Sequence, residues 1–141
     1  MARPVWHATD QSGEGAGAEG TDGSDRLRGC CEALASRKGI DVVVMRVAEL
    51  SSVTDHFVIA SGHSRTQVQA LADAVRERLL AEDRPALRCE GYAEARWICI
   101  DYGEFVVHVF LDEVRRYFDL ERLWGDAPRD RFPPRSSAEP A

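Results

Sequence analysis

Two runs rich in β-branched and aromatic residues flank a short polar turn between Trp97 and Phe110. This pattern predicts a β-hairpin. We place the turn at Tyr102 and Gly103, because glycine supplies the positive φ that tight hairpin turns require. The cross-strand pairs that follow are Ile100–Phe105, Cys99–Val106, Ile98–Val107 and Trp97–His108.

Side chains along a strand alternate between the two faces of a sheet, so this hairpin sorts its residues into two sets. One set is wholly apolar: Ile98, Ile100, Phe105, Val107 and Val109. The other mixes large rings with a titratable group: Trp97, Cys99, Val106, His108 and Phe110. The first set should face a core. The second is either a second core face or a docking surface on which the indole and imidazole turn outward, and both arrangements are common.

The remaining apolar pattern predicts helices and strands on both sides of the hairpin. A narrow stripe predicts a helix from Ser24, as N-cap, to the stop signal Gly39. Continuous apolar runs predict strands over Ile40–Val47 and His56–Ser61, the first buried on both faces. The later elements are a helix from Arg65 to about Glu82 capped by Ser64, a strand over Leu87–Glu90, and a short helix containing Val114, Tyr117, Leu120, Leu123 and Trp124 that ends at Gly125.

These elements predict one α/β domain, with a single mixed five-stranded sheet, two main helices and a short C-terminal helix. Residues 1–23 are dominated by Gly, Ala, Ser, Thr and acids, and residues 128–141 hold three prolines with Arg and Ser. Both compositions predict disordered tails. The domain is therefore expected to span residues 24–127.

The charge and the cysteine content limit the possible partners and compartment of the protein. The 141-residue chain has a formal net charge of −6, which argues against binding nucleic acid through many phosphates and suits a basic protein partner. Four cysteines without a CxxC pair or a secretory signal predict reduced thiols in a cytoplasmic protein. No apolar run approaches the ~20 residues that a bilayer span needs, so no membrane association is predicted.

Gly62-x-Ser64 precedes a helix, where backbone amides can bind phosphate. Nucleotidyl transferases of the polymerase-beta type use a Gly-Ser pair in this place together with acids on a neighbouring strand. The next acid here is Asp73, inside the helix, so a capping role for Ser64 is the stronger interpretation. Nucleotide binding by a degenerate nucleotidyl transferase remains the alternative.

Histidines and cysteines show no i, i+4 or CxxC spacing, which predicts neither a metal site nor a cofactor. His108 with Asp101 and Tyr102 has no Ser or Cys nucleophile placed beside it. A strand histidine is also more often packed than catalytic. No enzymatic activity is predicted.

Taken in order, several of these segments resemble one family. They are Asp55–Ser64 (DHFVIASGHS), Glu90-Gly91, Arg96–Gly103 (RWICIDYG), Val106–Phe110 (VVHVF) and Tyr117–Trp124 (YFDLERLW). This ordered set, across residues 24–127, resembles the ribosomal silencing factor (RsfS) or Iojap family. One departure is His56, where the family usually carries tyrosine or another ring.

The resemblance implies an α/β fold related to nucleotidyl transferases but lacking their catalytic acids. It implies a protein that binds the large ribosomal subunit through ribosomal protein fourteen, blocks subunit joining and lowers translation when nutrients are short. A role in large-subunit biogenesis and a free homodimer are implied as well. The family's docking surface maps onto Trp97, Asp101, Tyr102, His108 and Phe110, of which Trp97 is the expected anchor.

Overall fold

The computed structural model describes residues 23–133. Both predicted tails lie outside these residues except at their inner ends. The helices are α1 (Gly23–Ser36), α2 (Arg65–Leu80), α3 (Asp112–Phe118) and α4 (Leu120–Leu123). The strands are β1 (Ile40–Arg46), β2 (His56–Gly62), β3 (Arg88–Glu90), β4 (Trp97–Asp101), β5 (Phe105–Leu111) and β6 (Arg129–Phe132).

The strands form one mixed sheet in the order β3-β4-β5-β2-β1-β6. The central pair, β5 and β2, is parallel, and every other neighbouring pair is antiparallel. A single mixed α/β sheet is therefore confirmed. Its predicted strand number is wrong, because the described residues contribute six strands and not five.

The additional strand, β6, begins two residues after the predicted end of the domain. Its sequence, Arg-Asp-Arg-Phe, has no apolar run that would predict a strand. It is held by antiparallel pairing with β1, by packing of Phe132 against the main core, and by an ion pair of 2.7 Å between Arg131 and Asp41. Tertiary pairing therefore makes this polar segment a strand.

Helices α1 and α2 cover one face of the sheet and form the main core with the apolar set of the hairpin. Cys30 and Cys31 lie fully buried on the inner face of α1. The predicted cap of α2 is confirmed, since the backbone N–H of Gln67 donates to Ser64 Oγ at 3.1 Å. Ser24 lies inside α1 and does not precede it.

The opposite face carries a smaller second core beneath α3 and α4. The sequence pattern predicted one helix here, but Asp119 adopts a left-handed conformation (φ 51°) and divides it in two. Each short helix buries one residue of the predicted stripe and exposes another: Val114 and Leu120 are buried, whereas Tyr117 and Leu123 are exposed.

The hairpin forms, but its predicted register is wrong by two residues. Trp97 pairs with Phe110 and Cys99 with His108. The turn lies at Gly103 and Glu104, one residue later than predicted, since the backbone N–H of Tyr102 donates to the carbonyl of Phe105 at 2.9 Å. Asp101 Oδ1 also accepts a hydrogen bond of 2.8 Å from the backbone N–H of Gly103. A shift of two residues leaves each side chain on its predicted face, because the side-chain period of a strand is two.

Candidate interaction surface

Three aromatic rings lie in a row where β4 meets the end of α3. The ring of Trp97 is 5.0 Å from that of Phe118, which is 5.1 Å from that of Tyr117. Trp97 is half-buried, Phe118 is 49% exposed and Tyr117 is 81% exposed. We call these three residues the aromatic patch. Contiguous exposed rings on a soluble domain are typical of an interaction surface.

An acidic strip continues from this patch along the outer face of β4. Trp97, Cys99 and Asp101 share this face, about 13 Å from end to end, and Glu90 of β3 lies opposite Cys99. Partial burial, followed by the charges of Glu90 and Asp101, raises the pKa of the Cys99 thiol. The thiol is therefore neutral at physiological pH. Arg88 lies opposite Asp101 and 3.8 Å from Glu90, so the strip has two carboxylates and one cation, and its net negative charge suits a basic partner.

Two of the residues predicted to face a partner lie inside the second core. Phe110 is fully buried and His108 is 6% exposed. The expectation that the imidazole turns toward solvent is wrong, because α3, α4 and the segment that follows them roof this part of the sheet. Most of this face is therefore a second core, and only its margin, where Trp97 lies, is available as a docking surface.

His108 supports the aromatic patch from below. The indole N–H of Trp97 donates to His108 Nδ1 at 3.1 Å, which places the imidazole proton on Nε2. That Nε2 is buried and has no hydrogen-bond partner among the described residues. Burial lowers the pKa of His108 from 6.5 to about 4, so the ring is neutral at physiological pH.

Tyr102 belongs to the opposite side of the sheet. Its ring packs 5.3 Å from Phe105 in the main core, and the residue is 2% exposed. Burial raises the pKa of its phenol well above the ordinary value. The structure therefore separates Tyr102 from Trp97, and of the five predicted docking residues only Trp97 and Asp101 present surface on the outer face.

The sequence interpretation missed Phe118 and Tyr117 as surface residues. Tyr117 was assigned to the buried stripe of one continuous helix, but within α3 Val114 is buried and Tyr117, three residues later, is exposed. The apolar periodicity alone did not indicate that only one of the two would be covered. The approach of Phe118 to Trp97, which are far apart in the chain, likewise depends on how α3 returns over the sheet.

A polar cavity of about 480 Å³ lies between α3 and the beginning of β1, and includes Arg115, Asp112, Asp119 and Glu121 in its lining. Arg115 is 7% exposed and is held by Glu121 at 2.8 Å, by Ser61 Oγ and by two backbone carbonyls of β1. These contacts tie α3 to β1, β2 and α4.

The turn around Gly62 and Ser64 is occupied by its own neighbours. The N–H of His63 donates to Gln67 Oε1 at 2.7 Å, and the N–H of Gln67 donates to Ser64 Oγ. Two amides that a phosphate would use are thus engaged. Within residues 23–133, no three His, Cys, Asp or Glu side chains come together as a metal site. No helix of this part of the chain is long and apolar enough to cross a membrane.

Together, the mixed sheet, its second core and the aromatic patch define an α/β domain with the surface of a binding protein. The family model described as "Ribosomal silencing factor during starvation" matches residues 21–141. The chain belongs to the ribosomal silencing factor (RsfS) family.

Relatives with that name extend over most of the domain. A ribosomal silencing factor of Halalkalibacterium halodurans is 42% identical over 96 residues, covering 68% of this chain and 82% of that protein. The factor of Bacillus subtilis is 37% identical over 102 residues, covering 72% and 86%. Iojap proteins of Arabidopsis thaliana also match, one of them chloroplastic at 31% identity.

Solved structures agree with the fold. A crystal structure of a Chromobacterium violaceum protein has a TM-score of 0.73 and 32% identity, and covers 85% of this chain and 98% of that chain. A Bacillus halodurans crystal structure has a TM-score of 0.64 and 38% identity, and covers 70% and 91%.

Proposed function

We propose that this protein lowers translation by binding the large ribosomal subunit through ribosomal protein fourteen and blocking the joining of the small subunit. The observation that carries the proposal is the aromatic patch with the acidic strip beside it. Trp97 is the anchor and Asp101 is the carboxylate that meets a Lys or Arg of the partner. Buried His108 and Phe110 support the anchor, and Tyr102 stabilises the hairpin from the opposite core.

Physical features of the surface support this assignment. Trp and Tyr are frequent hot-spot residues, because a large ring excludes water from a wide area at little entropic cost. The net charge of −6 favours a basic ribosomal protein over ribosomal RNA. Phe118 and Tyr117 extend the surface beyond Trp97, so the partner meets several rings at once.

A related role in assembly of the large subunit is part of the proposal. A mouse relative named "Mitochondrial assembly of ribosomal large subunit protein 1" is 33% identical over 87 residues, covering 60% of this chain and 38% of that protein. A factor that binds a protein of the large subunit before the small subunit joins has access to immature particles too. We place the protein in the cytoplasm, in line with its similarity to the ribosomal silencing factors of two bacteria.

The first prediction tests the anchor. Trp97→Ala should weaken binding to isolated large subunits by ~2 kcal/mol or more, about thirtyfold, because it removes the central ring of the patch. Co-sedimentation with subunits on sucrose gradients, at graded protein concentrations, measures this. Tyr117→Ala should also weaken binding, and because Tyr117 is 81% exposed it leaves the core unchanged.

Leu80→Ala is the matched control, since Leu80 is 61% exposed and lies on α2, which packs against the other sheet face. It should bind like the parent protein. Full affinity in folded Trp97→Ala and Tyr117→Ala would refute the docking surface. Light scattering of each variant, with and without the large subunit, shows whether a homodimer competes for the same surface.

A further inference from the structure

The side chain of Trp97 has one polar atom, its indole nitrogen, and this atom forms a hydrogen bond with a buried residue. The indole N–H donates to His108 Nδ1 at 3.1 Å, across two adjacent strands. The other contacts of the ring are with Phe110, stacked at 4.8 Å, and Phe118, tilted at 5.0 Å. These ring contacts would also be possible if the indole of Trp97 were flipped by 180°. The hydrogen bond allows only one of these orientations, because the edge that carries the indole N–H must face His108.

His108 occupies this position although an apolar residue would suit its surroundings. On the same face of the sheet, Ile59 and Phe110 of the second core are fully buried, and the ring of Phe57 meets the imidazole edge-on at 4.8 Å. The Nε2 atom is left without a hydrogen-bond partner. A buried polar atom without a partner destabilises a fold, so such a residue calls for an explanation other than stability.

We propose that His108 is a positioning residue for the Trp97 anchor, and that its Nδ1 fixes which edge of the indole the docking surface presents. This inference rests on the proposed function, since it concerns how the same surface is held ready. A preset ring binds more tightly, because the partner does not have to order it. No charged side chain competes for Nδ1 among the described residues that contact or pair with His108, which are Phe57, Ile59, Trp97, Cys99 and Phe110.

Two substitutions of His108 distinguish the effect of its hydrogen-bond acceptor from the effect of its packing. His108→Gln keeps an acceptor, its amide oxygen, whereas His108→Leu fills the space without one. His108→Leu should weaken binding to large subunits by about tenfold, and His108→Gln should recover most of that loss. Met45→Leu, a conservative change in the same second core, should leave the affinity unchanged.

Nuclear magnetic resonance of the free, ¹⁵N-labelled protein provides a readout that purely structural damage would not move. The chain holds three tryptophans, and Trp97→Phe assigns the indole resonance of Trp97. His108→Leu should move that resonance upfield and speed its exchange with solvent, and His108→Gln should return it toward its original position. The two imidazole nitrogens of His108 should show the Nε2-protonated pattern.

The outcomes distinguish this inference from the proposed function. Parental affinity in folded His108→Leu overturns the positioning role, whether or not the indole resonance moves. An unchanged indole resonance in that variant overturns the hydrogen bond itself. If Trp97→Ala binds normally while His108→Leu shifts the indole, the docking function fails and the hydrogen bond stands. Loss of affinity in both variants, with recovery in His108→Gln, supports both.

Discussion

Three buried side-chain atoms lack a hydrogen-bond partner among the described residues: His56 Nε2, His108 Nε2 and the hydroxyl of Tyr102. Each belongs to a polar residue placed where burial opposes its charged form. Burial lowers the pKa of both histidines and raises the pKa of the tyrosine. At the scale of single residues, these groups therefore link the stability of the fold to pH.

We predict that the free energy of unfolding falls as pH falls from about 6.5 toward about 4. In that window the unfolded chain binds a proton at His108 that the folded chain excludes, so acid favours unfolding. With the folded pKa near 4 and the ordinary value at 6.5, this residue contributes roughly 3 kcal/mol of the loss. Urea denaturation at about pH 7 and about pH 4.5 measures the difference.

Matched variants separate this contribution from the titration of carboxylates. His108→Leu should lose part of the pH dependence, since nothing at that position then titrates. His63→Leu should retain it, because His63 is exposed. A pH dependence in His108→Leu as steep as in the parent would contradict the assignment of the effect to His108.

At the scale of elements, α3 and α4 decide which part of the outer sheet face is open. They are too short to be stable alone, and an isolated helix of this length is marginal in water. Arg115 holds them in place through Glu121 and through the backbone carbonyls of Ile40 and Asp41. The position of the aromatic patch therefore depends on one buried cation.

We predict that Arg115→Ala lowers the free energy of unfolding by about 3 kcal/mol, because it leaves Glu121 and two carbonyls without their donor. Thermal and urea denaturation measure the loss. Arg116→Ala is the control, since the side chain of Arg116 is 71% exposed and its ion pair with Asp112 should contribute less than about 0.5 kcal/mol. A loss in Arg115→Ala as small as that of the control would show that packing, and not this network, holds α3.

At the scale of the whole molecule, one sheet separates two cores of unequal size. The larger lies under α1 and α2, and the smaller lies under α3 and α4. Strand β6 closes the edge of the sheet beside β1, whose apolar residues Val42 and Met45 are buried. Without β6, a hydrophobic strand would become an open edge, which favours association with other chains.

We predict that a chain ending at Pro128 is less stable by about 2 kcal/mol than the full chain, because it loses the packing of Phe132 and the pairing with β1. It should also aggregate more readily, which light scattering measures. A chain ending at Pro133 keeps β6 and should behave like the full chain. Equal stability of the two truncated chains would show that β6 adds nothing to the fold.

Much of the architecture could be predicted, since it depends on neighbours close in sequence. The strands, α2 with its Ser64 cap, and the sorting of the hairpin into two faces follow from period and local hydrogen bonding. The hairpin register could not, because the turn lies one residue later, at Gly103 and Glu104, where the carboxylate of Asp101 accepts a hydrogen bond from the backbone N–H of Gly103. Strand β6 was missed because its pairing with β1 and the ion pair to Asp41 involve residues more than 80 positions away.

The candidate site was predicted only in part. Trp97 and Asp101 were identified and lie on the outer face, whereas the exposed rings of Phe118 and Tyr117 were not. The exposure of a residue depends on what covers it, and α3 covers His108 and Phe110 but leaves Trp97 at its edge. The sequence of β5 alone therefore does not indicate which of its residues a later helix will bury.

The order of amino acids alone determined which side chains share a face and where helix α2 begins, because alternation and capping act over a few residues. It also determined the family, through motifs in a fixed order. Only the folded chain decided which residues of the outer face meet solvent, because a polar strand and two short helices take their places through contacts between distant segments. The pattern placed Trp97 opposite His108 on one face, and the folded chain shifts the register by two residues, so that their hydrogen bond runs diagonally between β4 and β5.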